Sequence, residues 1–173
     1  MNLVLIGYRA TGKTTVARLL AQQLGWSSID ADVEIERRAG KSIARMFAED
    51  GEPVFCDLEA AVIADLCGQD RLVLAAGGGA PMRQESRAAM RQGGKVVWLK
   101  AEPATIHARM SGDATTATRR PNLTEKNPWD EIVHLLAKRE PIYRQTAHLE
   151  VDTEGKSPQQ VAAEILQRLD TPE

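Results

Sequence analysis

The chain has little cysteine, no long apolar run and no excess of charge of either sign, and each absence removes a class of protein. Its two cysteines, Cys56 and Cys67, fall eleven residues apart, with no Cys-x-x-Cys and no Cys/His cluster. That excludes a disulfide framework and leaves no zinc spacing. Both are expected to be reduced thiols of a cytoplasmic protein. The longest apolar runs hold about five or six residues, far short of the roughly 18 that span a bilayer, so no membrane partner is expected. Met1-Asn2-Leu3-Val4-Leu5-Ile6-Gly7 has no basic stretch and no cleavage site, unlike a secretory signal. Lys and Arg number 22 against 24 Asp and Glu, a net charge of −2. That balance argues against a general nucleic-acid binder.

What is present is a globular composition: 43% hydrophobic and 27% charged residues over 173 positions. Collagen, coiled coil and disorder are excluded. At roughly 100–200 residues per domain the length predicts one domain over 1–173, read as a monomer. Leu3-Val4-Leu5-Ile6, Leu72-Val73-Leu74-Ala75 and Val96-Val97-Trp98-Leu99 are unbroken apolar runs, the pattern of strands buried on both faces. Ser28-Ile29-Asp30 and Leu149-Glu150-Val151-Asp152 are weaker strand candidates. Val16, Leu19, Leu20 and Leu24 share one helical face, which Gly25 closes. Phe55, Leu58, Val62 and Leu66 repeat that spacing. Ser157-Pro158 opens a last helix carrying Val161, Ile165 and Leu169. The alternation of strand and helix predicts an α/β fold with a mostly parallel sheet. Ser111 to Pro128 is polar and Thr-rich, and is expected to be a long functional loop.

The first strand is followed by Gly7-Tyr8-Arg9-Ala10-Thr11-Gly12-Lys13-Thr14, which is G-x-x-x-x-G-K-T, and then at once by a helix. That context makes it a phosphate-binding loop. Gly7 and Gly12 let the backbone curl so that N–H groups point at phosphate oxygens, and the helix start adds partial positive charge. Lys13 is placed for the β- and γ-phosphates and the Thr14 hydroxyl for Mg²⁺. A nucleoside triphosphate with Mg²⁺ is therefore expected. A GTPase would need N-K-x-D, which Lys126-Asn127-Pro128-Trp129-Asp130 does not supply. No acid ends the third strand, which runs into Ala75-Ala76-Gly77-Gly78-Gly79, so the metal needs a carboxylate from elsewhere.

Asp30-Ala31-Asp32 follows the second strand, where strand ends face the ligand crevice of an open α/β sheet. On an extended segment the two carboxylates would point the same way, one toward the metal and one toward an acceptor hydroxyl. Either could instead cap the helical stretch from Val33 to Ala39. Gly77-Gly78-Gly79 permits close backbone approach to a ligand, or is a strand-to-helix turn. Arg119-Arg120-Pro121 in the polar segment reads as a lid that brings positive charge to the transferring phosphoryl group. Arg139, in Lys138-Arg139-Glu140-Pro141-Ile142-Tyr143-Arg144, could hold an anionic acceptor bidentately. Taken alone, surface ion pairing is its plainer reading.

In this order and spacing the motifs resemble the shikimate kinase family, a small branch of the nucleoside-monophosphate-kinase-like P-loop group. The resemblance covers nearly the whole chain. It implies a three-layer α/β/α sandwich around a five-stranded parallel sheet, with the phosphate loop after the central strand. It implies transfer of the γ-phosphoryl of ATP to the 3-hydroxyl of shikimate. It also implies a substrate-binding helical region at about 31–62 and a mobile lid at about 111–128. By position, Ala10, Thr11, Gly12, Lys13, Thr14 and Thr15 would wrap the phosphates. Thr14 would ligate Mg²⁺, with Asp30 supporting it. Asp32 would bind the shikimate hydroxyls and accept the proton. Gly77, Gly78 and Gly79, with Glu59 and Arg139, would hold the acceptor, Arg139 by its carboxylate. Arg120 would reach ATP from the lid, and Arg109 and Lys156 would lie on the adenine side.

Two departures stand out. Ala10 replaces a glycine of the loop, at small cost if its φ is negative. Cys56 stands where the family's Phe-Arg-x-x-Glu carries a shikimate-binding arginine. Losing one partner of a buried charge pair costs roughly 2–5 kcal/mol. The residues also leave open a kinase of another small acceptor, gluconate-like or a nucleotide, and a nucleotide-binding regulator with weakened acceptor binding.

Overall fold

Along the first strand, β1 (Asn2–Ile6), every residue is buried, because the strand lies in the middle of the sheet with helices on both faces. The period of two then sorts its side chains into two cores. Leu3 and Leu5 join Val16, Leu20, Val161 and Ile165 on one side. Val4 and Ile6 join Ile35, Ile63, Leu66 and Met90 on the other. The computed structural model describes residues 1–112 and 127–170.

Four strands join β1: β2 (Ser27–Asp30), β3 (Leu72–Ala75), β4 (Gly94–Lys100) and β5 (Leu149–Asp152). The order is β2-β3-β1-β4-β5 and every pairing is parallel. The two weaker strand candidates are the two edge strands. Half-buried edges carry polar residues, which dilutes the apolar signal. The described helices are α1 (Lys13–Leu24), α2 (Ala31–Ala39), α3 (Ile43–Glu49), α4 (Glu52–Cys67), α5 (Gln84–Gly93), α6 (Pro103–Gly112), α7 (Pro128–Thr146) and α8 (Pro158–Asp170). A single 3₁₀ turn, Ala80–Met82, follows β3. Helices α1 and α8 cover one face, and α2 to α5 with part of α7 cover the other. This is the three-layer α/β/α sandwich that the family resemblance implies.

The helix ends follow the local chemistry. Gly25 takes a left-handed conformation (φ 69°) and closes α1 through its N–H to the Ala21 carbonyl. The Ser157 hydroxyl accepts from the Gln160 N–H (3.2 Å) ahead of Pro158. Among the described residues no helix is long and apolar enough to cross a membrane. The polar segment expected to be irregular over 111–128 has helical margins: Ser111 and Gly112 end α6, and Pro128 begins α7. Asn127 caps α7, its side-chain oxygen accepting from the Asp130 N–H at 2.9 Å. Arg119, Arg120 and Pro121 lie outside the described residues.

Candidate active site

The phosphate loop leaves the C-terminal end of β1 and turns directly into α1. Gly7 has φ 144°, and a Cβ there would sit 2.5 Å from the Leu99 carbonyl oxygen, so only glycine fits. The Lys13 ammonium donates to the carbonyls of Gly7 and Tyr8, both at 2.8 Å. The Thr11 hydroxyl also donates to the Tyr8 carbonyl, at 2.8 Å. The loop's own side chains therefore hold its carbonyls. α1 begins at Lys13 with no acidic residue of its own in its first turn.

Ala10 does not meet the condition of a negative φ. Its φ is +59°, in the left-handed region, so this position does call for glycine. An L residue held there costs about 1–2 kcal/mol, which the greater freedom of glycine in the unfolded chain partly offsets. Ala10→Gly is therefore expected to stabilise the fold by roughly 0.5–1 kcal/mol and raise the thermal midpoint by about 1–4 °C. A melting curve checks this, and a lowered midpoint would contradict it. The Arg109 guanidinium donates to the Ala10 carbonyl (3.1 Å), tying α6 to the loop.

Asp30 ends β2 directly beside Ala75 of β3. The carboxylate missing from the end of β3 is thus supplied one strand over. Asp30 fills the capping role weighed for it and also meets the Thr14 hydroxyl. Its Oδ1 accepts from the Asp32 N–H (2.8 Å) as the cap of α2, and its Oδ2 accepts from the Thr14 hydroxyl at 2.6 Å. The expectation that Asp30 and Asp32 face one way on an extended segment fails. The strand stops at Asp30 and α2 starts at Ala31, so Asp32 sits in the first helical turn. The Thr14–Asp30 pair offers two oxygen ligands, and among the described residues no group of three acidic, His or Cys side chains gathers to hold a metal. That donor set fits Mg²⁺, which keeps waters and phosphate oxygens in its shell. It does not fit a cage-bound transition metal.

On the other side of the loop, Gly77-Gly78-Gly79 runs from β3 toward the 3₁₀ turn. The side group nearest these glycines belongs to the protein itself. A Cβ on Gly78 would lie 3.1 Å from Arg139 Nη1 and 3.3 Å from the Gly7 carbonyl oxygen; one on Gly79 would lie 3.5 Å from Arg139 Nη2. Tyr143, one turn beyond Arg139 on α7, donates its hydroxyl to the Gly78 carbonyl at 2.6 Å. The surface reading of Arg139 is overturned: its side chain is buried at 7% exposure. Among the described residues it makes no ion pair.

Cys56 lies on α4, half-buried, one turn before the buried Glu59. Burial pushes its thiol above the usual range, the charges of Glu59 and Glu52 push the same way, and Arg83 opposes them. The thiol is therefore neutral near pH 7. Arg83 is engaged by Asp57 at 2.6 Å. Lys156, in the connection from β5 to α8, pairs with Glu164 at 2.6 Å. The structure thus gathers Gly7, Lys13, Gly78 and Arg139 around one loop, with Thr14 and Asp30 beside it. Two contributors went unassigned in the sequence. Tyr143 occurs in the quoted string with no role, and Tyr8 occupies a variable position of the loop motif.

A phosphate loop leaving the central strand of a β2-β3-β1-β4-β5 parallel sheet, with an acid at the end of β2 meeting the first turn of α1, defines a P-loop phosphotransferase. A family model for shikimate kinase matches residues 9–170. The chain is 44% identical to a shikimate kinase of Rhodopirellula baltica, over 95% of this chain and 88% of that protein. It is 45% identical to one of Pseudomonas fluorescens, over 97% and 95% respectively. The shikimate kinase of Acinetobacter baumannii, solved in complex with shikimate, superposes with a TM-score of 0.91 at 36% identity, covering 97% of this chain and 92% of that one. The chain belongs to the shikimate kinase family.

Proposed function

We propose that this chain transfers the γ-phosphoryl of ATP to the 3-hydroxyl of shikimate. One observation carries the reading. A buried guanidinium with no ion pair among the described residues stands against the same glycine that touches the phosphate loop. An acceptor with a carboxylate at one end and a hydroxyl at the other would place that hydroxyl toward the loop. The 36%-identical Acinetobacter baumannii structure holds shikimate, which has both groups.

The roles follow from the positions. Backbone N–H groups from Ala10 to Thr15 and the ammonium of Lys13 bind the phosphates, with Lys13 leaving the carbonyls it holds in this structure. Thr14 and Asp30 hold Mg²⁺, which supplies charge neutralisation on the phosphate oxygens. Asp32, at the N-terminal turn of α2, orients the acceptor hydroxyl and takes its proton. The hydroxyl oxygen bonds to the γ-phosphorus, the bond to the β,γ-bridging oxygen breaks, and ADP leaves. A loose transition state asks for positioning and charge more than for a strong base. Arg139, Glu59 and the triple glycine position the acceptor, with α2, α3 and the start of α4 on that side over about 31–62. Arg109 and Lys156 face the nucleotide, and Arg120 brings charge to the γ-phosphoryl from the lid at about 111–128.

The test is coupled ADP release with Mg·ATP while shikimate is titrated. Shikimate-dependent turnover is expected. ATP binding without such turnover overturns the assignment. Cys56→Arg, run alongside, places a guanidinium beside Glu59, where the parent has a neutral thiol. It is expected to lower the shikimate KM by about thirtyfold, the low end of the range for restoring a buried charge partner. An unchanged KM would mean that position 56 does not face the acceptor.

A further inference from the structure

Tyr8 is a variable position of the phosphate-loop motif, yet its side chain is 1% exposed. Its hydroxyl is buried and has no hydrogen-bond partner among the described residues. A hydroxyl in that condition carries a desolvation cost that a phenyl ring would not. The ring is therefore the useful part of the side chain. Its face meets the Arg139 guanidinium, whose central carbon lies 5.5 Å from the ring centroid. That is inside the roughly 6 Å reach of a cation–π contact, which strengthens where water is excluded.

The alternative anchor for a buried guanidinium is a carboxylate. The nearby Glu131 is engaged by Arg9 instead, at 3.4 Å with both side chains buried. Burial pushes the Tyr8 phenol above its ordinary range, against the pull of Arg9 and Arg139, so it does not ionise to neutralise them. A carboxylate at this place would hold Arg139 and also compete with any anion arriving there. An aromatic face holds the guanidinium and leaves its charge uncancelled.

We propose that Tyr8 is a positioning residue for acceptor recognition, its ring holding Arg139 against Gly78 and Gly79 with its charge and N–H donors free for the acceptor carboxylate. This rests on the reading of Arg139 as that carboxylate's partner. The parent, Tyr8→Leu and Tyr8→Phe are compared by steady-state kinetics, titrating shikimate and ATP separately. Tyr8→Leu is expected to raise the shikimate KM about tenfold. Its kcat and ATP KM stay within about twofold of the parent values. Tyr8→Phe keeps the ring and is expected to keep the parent shikimate KM. A packing role alone would shift both KM values together, and would do so in proportion to the loss of thermal stability. If Tyr8→Leu does not fold, Tyr8→Met fills a similar volume without a ring and carries the same expectation. An unchanged shikimate KM in a folded Leu or Met variant, with shikimate turnover intact in the parent, overturns this inference alone. No shikimate turnover in the parent overturns the underlying reading, and this inference with it.

Discussion

Lys13→Met lowers kcat by about a hundred- to a thousandfold, as expected when a charge donor to the reacting centre is lost. The structure explains why the loss is in kcat more than in acceptor binding. Lys13 belongs to the loop proposed to hold the phosphates, where it donates to the Gly7 and Tyr8 carbonyls at 2.8 Å, whereas the groups proposed to hold the acceptor are Arg139 and the triple glycine. The same two hydrogen bonds predict a smaller second effect. Without the ammonium, the part-buried Gly7 carbonyl loses this donor while the Tyr8 carbonyl keeps that of Thr11, at a cost of about 1 kcal/mol. For a chain of this size that lowers the thermal midpoint by about 2–4 °C. Single-turnover rates and a melting curve separate the two effects. A kcat within tenfold of the parent would remove Lys13 from the chemistry.

Arg139→Met is expected to raise the shikimate KM by at least thirtyfold, corresponding to roughly 2 kcal/mol or more of lost charge pairing, with the ATP KM near its parent value. Its effect on stability has the opposite sign to that of most core substitutions. Arg139 is buried at 7% exposure and makes no ion pair among the described residues, so the free protein carries the desolvation cost with no anion to offset it. Methionine fills much of the same space without charge. The thermal midpoint of the variant is expected to hold or rise, which would be the signature of a binding group held at the expense of stability. Arg139→Lys separates charge from shape: it keeps the charge but loses the planar fork, and falls between parent and Met. A shikimate KM unmoved by Arg139→Met would detach Arg139 from the acceptor and remove the main support for the proposed function.

The sheet was legible because its three inner strands are apolar on both faces, and the phosphate loop because its glycines and Lys13 answer to a fixed backbone shape. What sequence alone misread were features that depend on a neighbour. Asp30 and Asp32 look like an extended pair in Asp30-Ala31-Asp32. The cap that Asp30 places on α2 ends the strand between them. The strain at Ala10 is invisible in the sequence, since a single letter does not encode φ. Arg139 resembles any surface arginine near a helix end, and its burial comes from Tyr8 and Gly78, more than sixty residues away in sequence. Tyr143 was quoted without a role for the same reason: its partner is a backbone carbonyl of the β3 exit. The neutral thiol at Cys56 likewise comes from its surroundings, burial first and then the nearby carboxylates of Glu59 and Glu52.

The wall that Leu99 forms behind Gly7 has a consequence for synthesis. β1 is made first, but it pairs with Leu72–Ala75 on one side and Gly94–Lys100 on the other. A growing chain therefore carries the complete G-x-x-x-x-G-K-T string long before the string has a shape. Until Leu99 has left the ribosome, the carbonyl against which Gly7 packs does not exist, and the loop has no backing on its β4 side. Such long-range pairing is slow to form. Nucleotide added to nascent chains stalled before β4 should find nothing to stabilise, whereas chains released after β5 should gain protection from proteolysis.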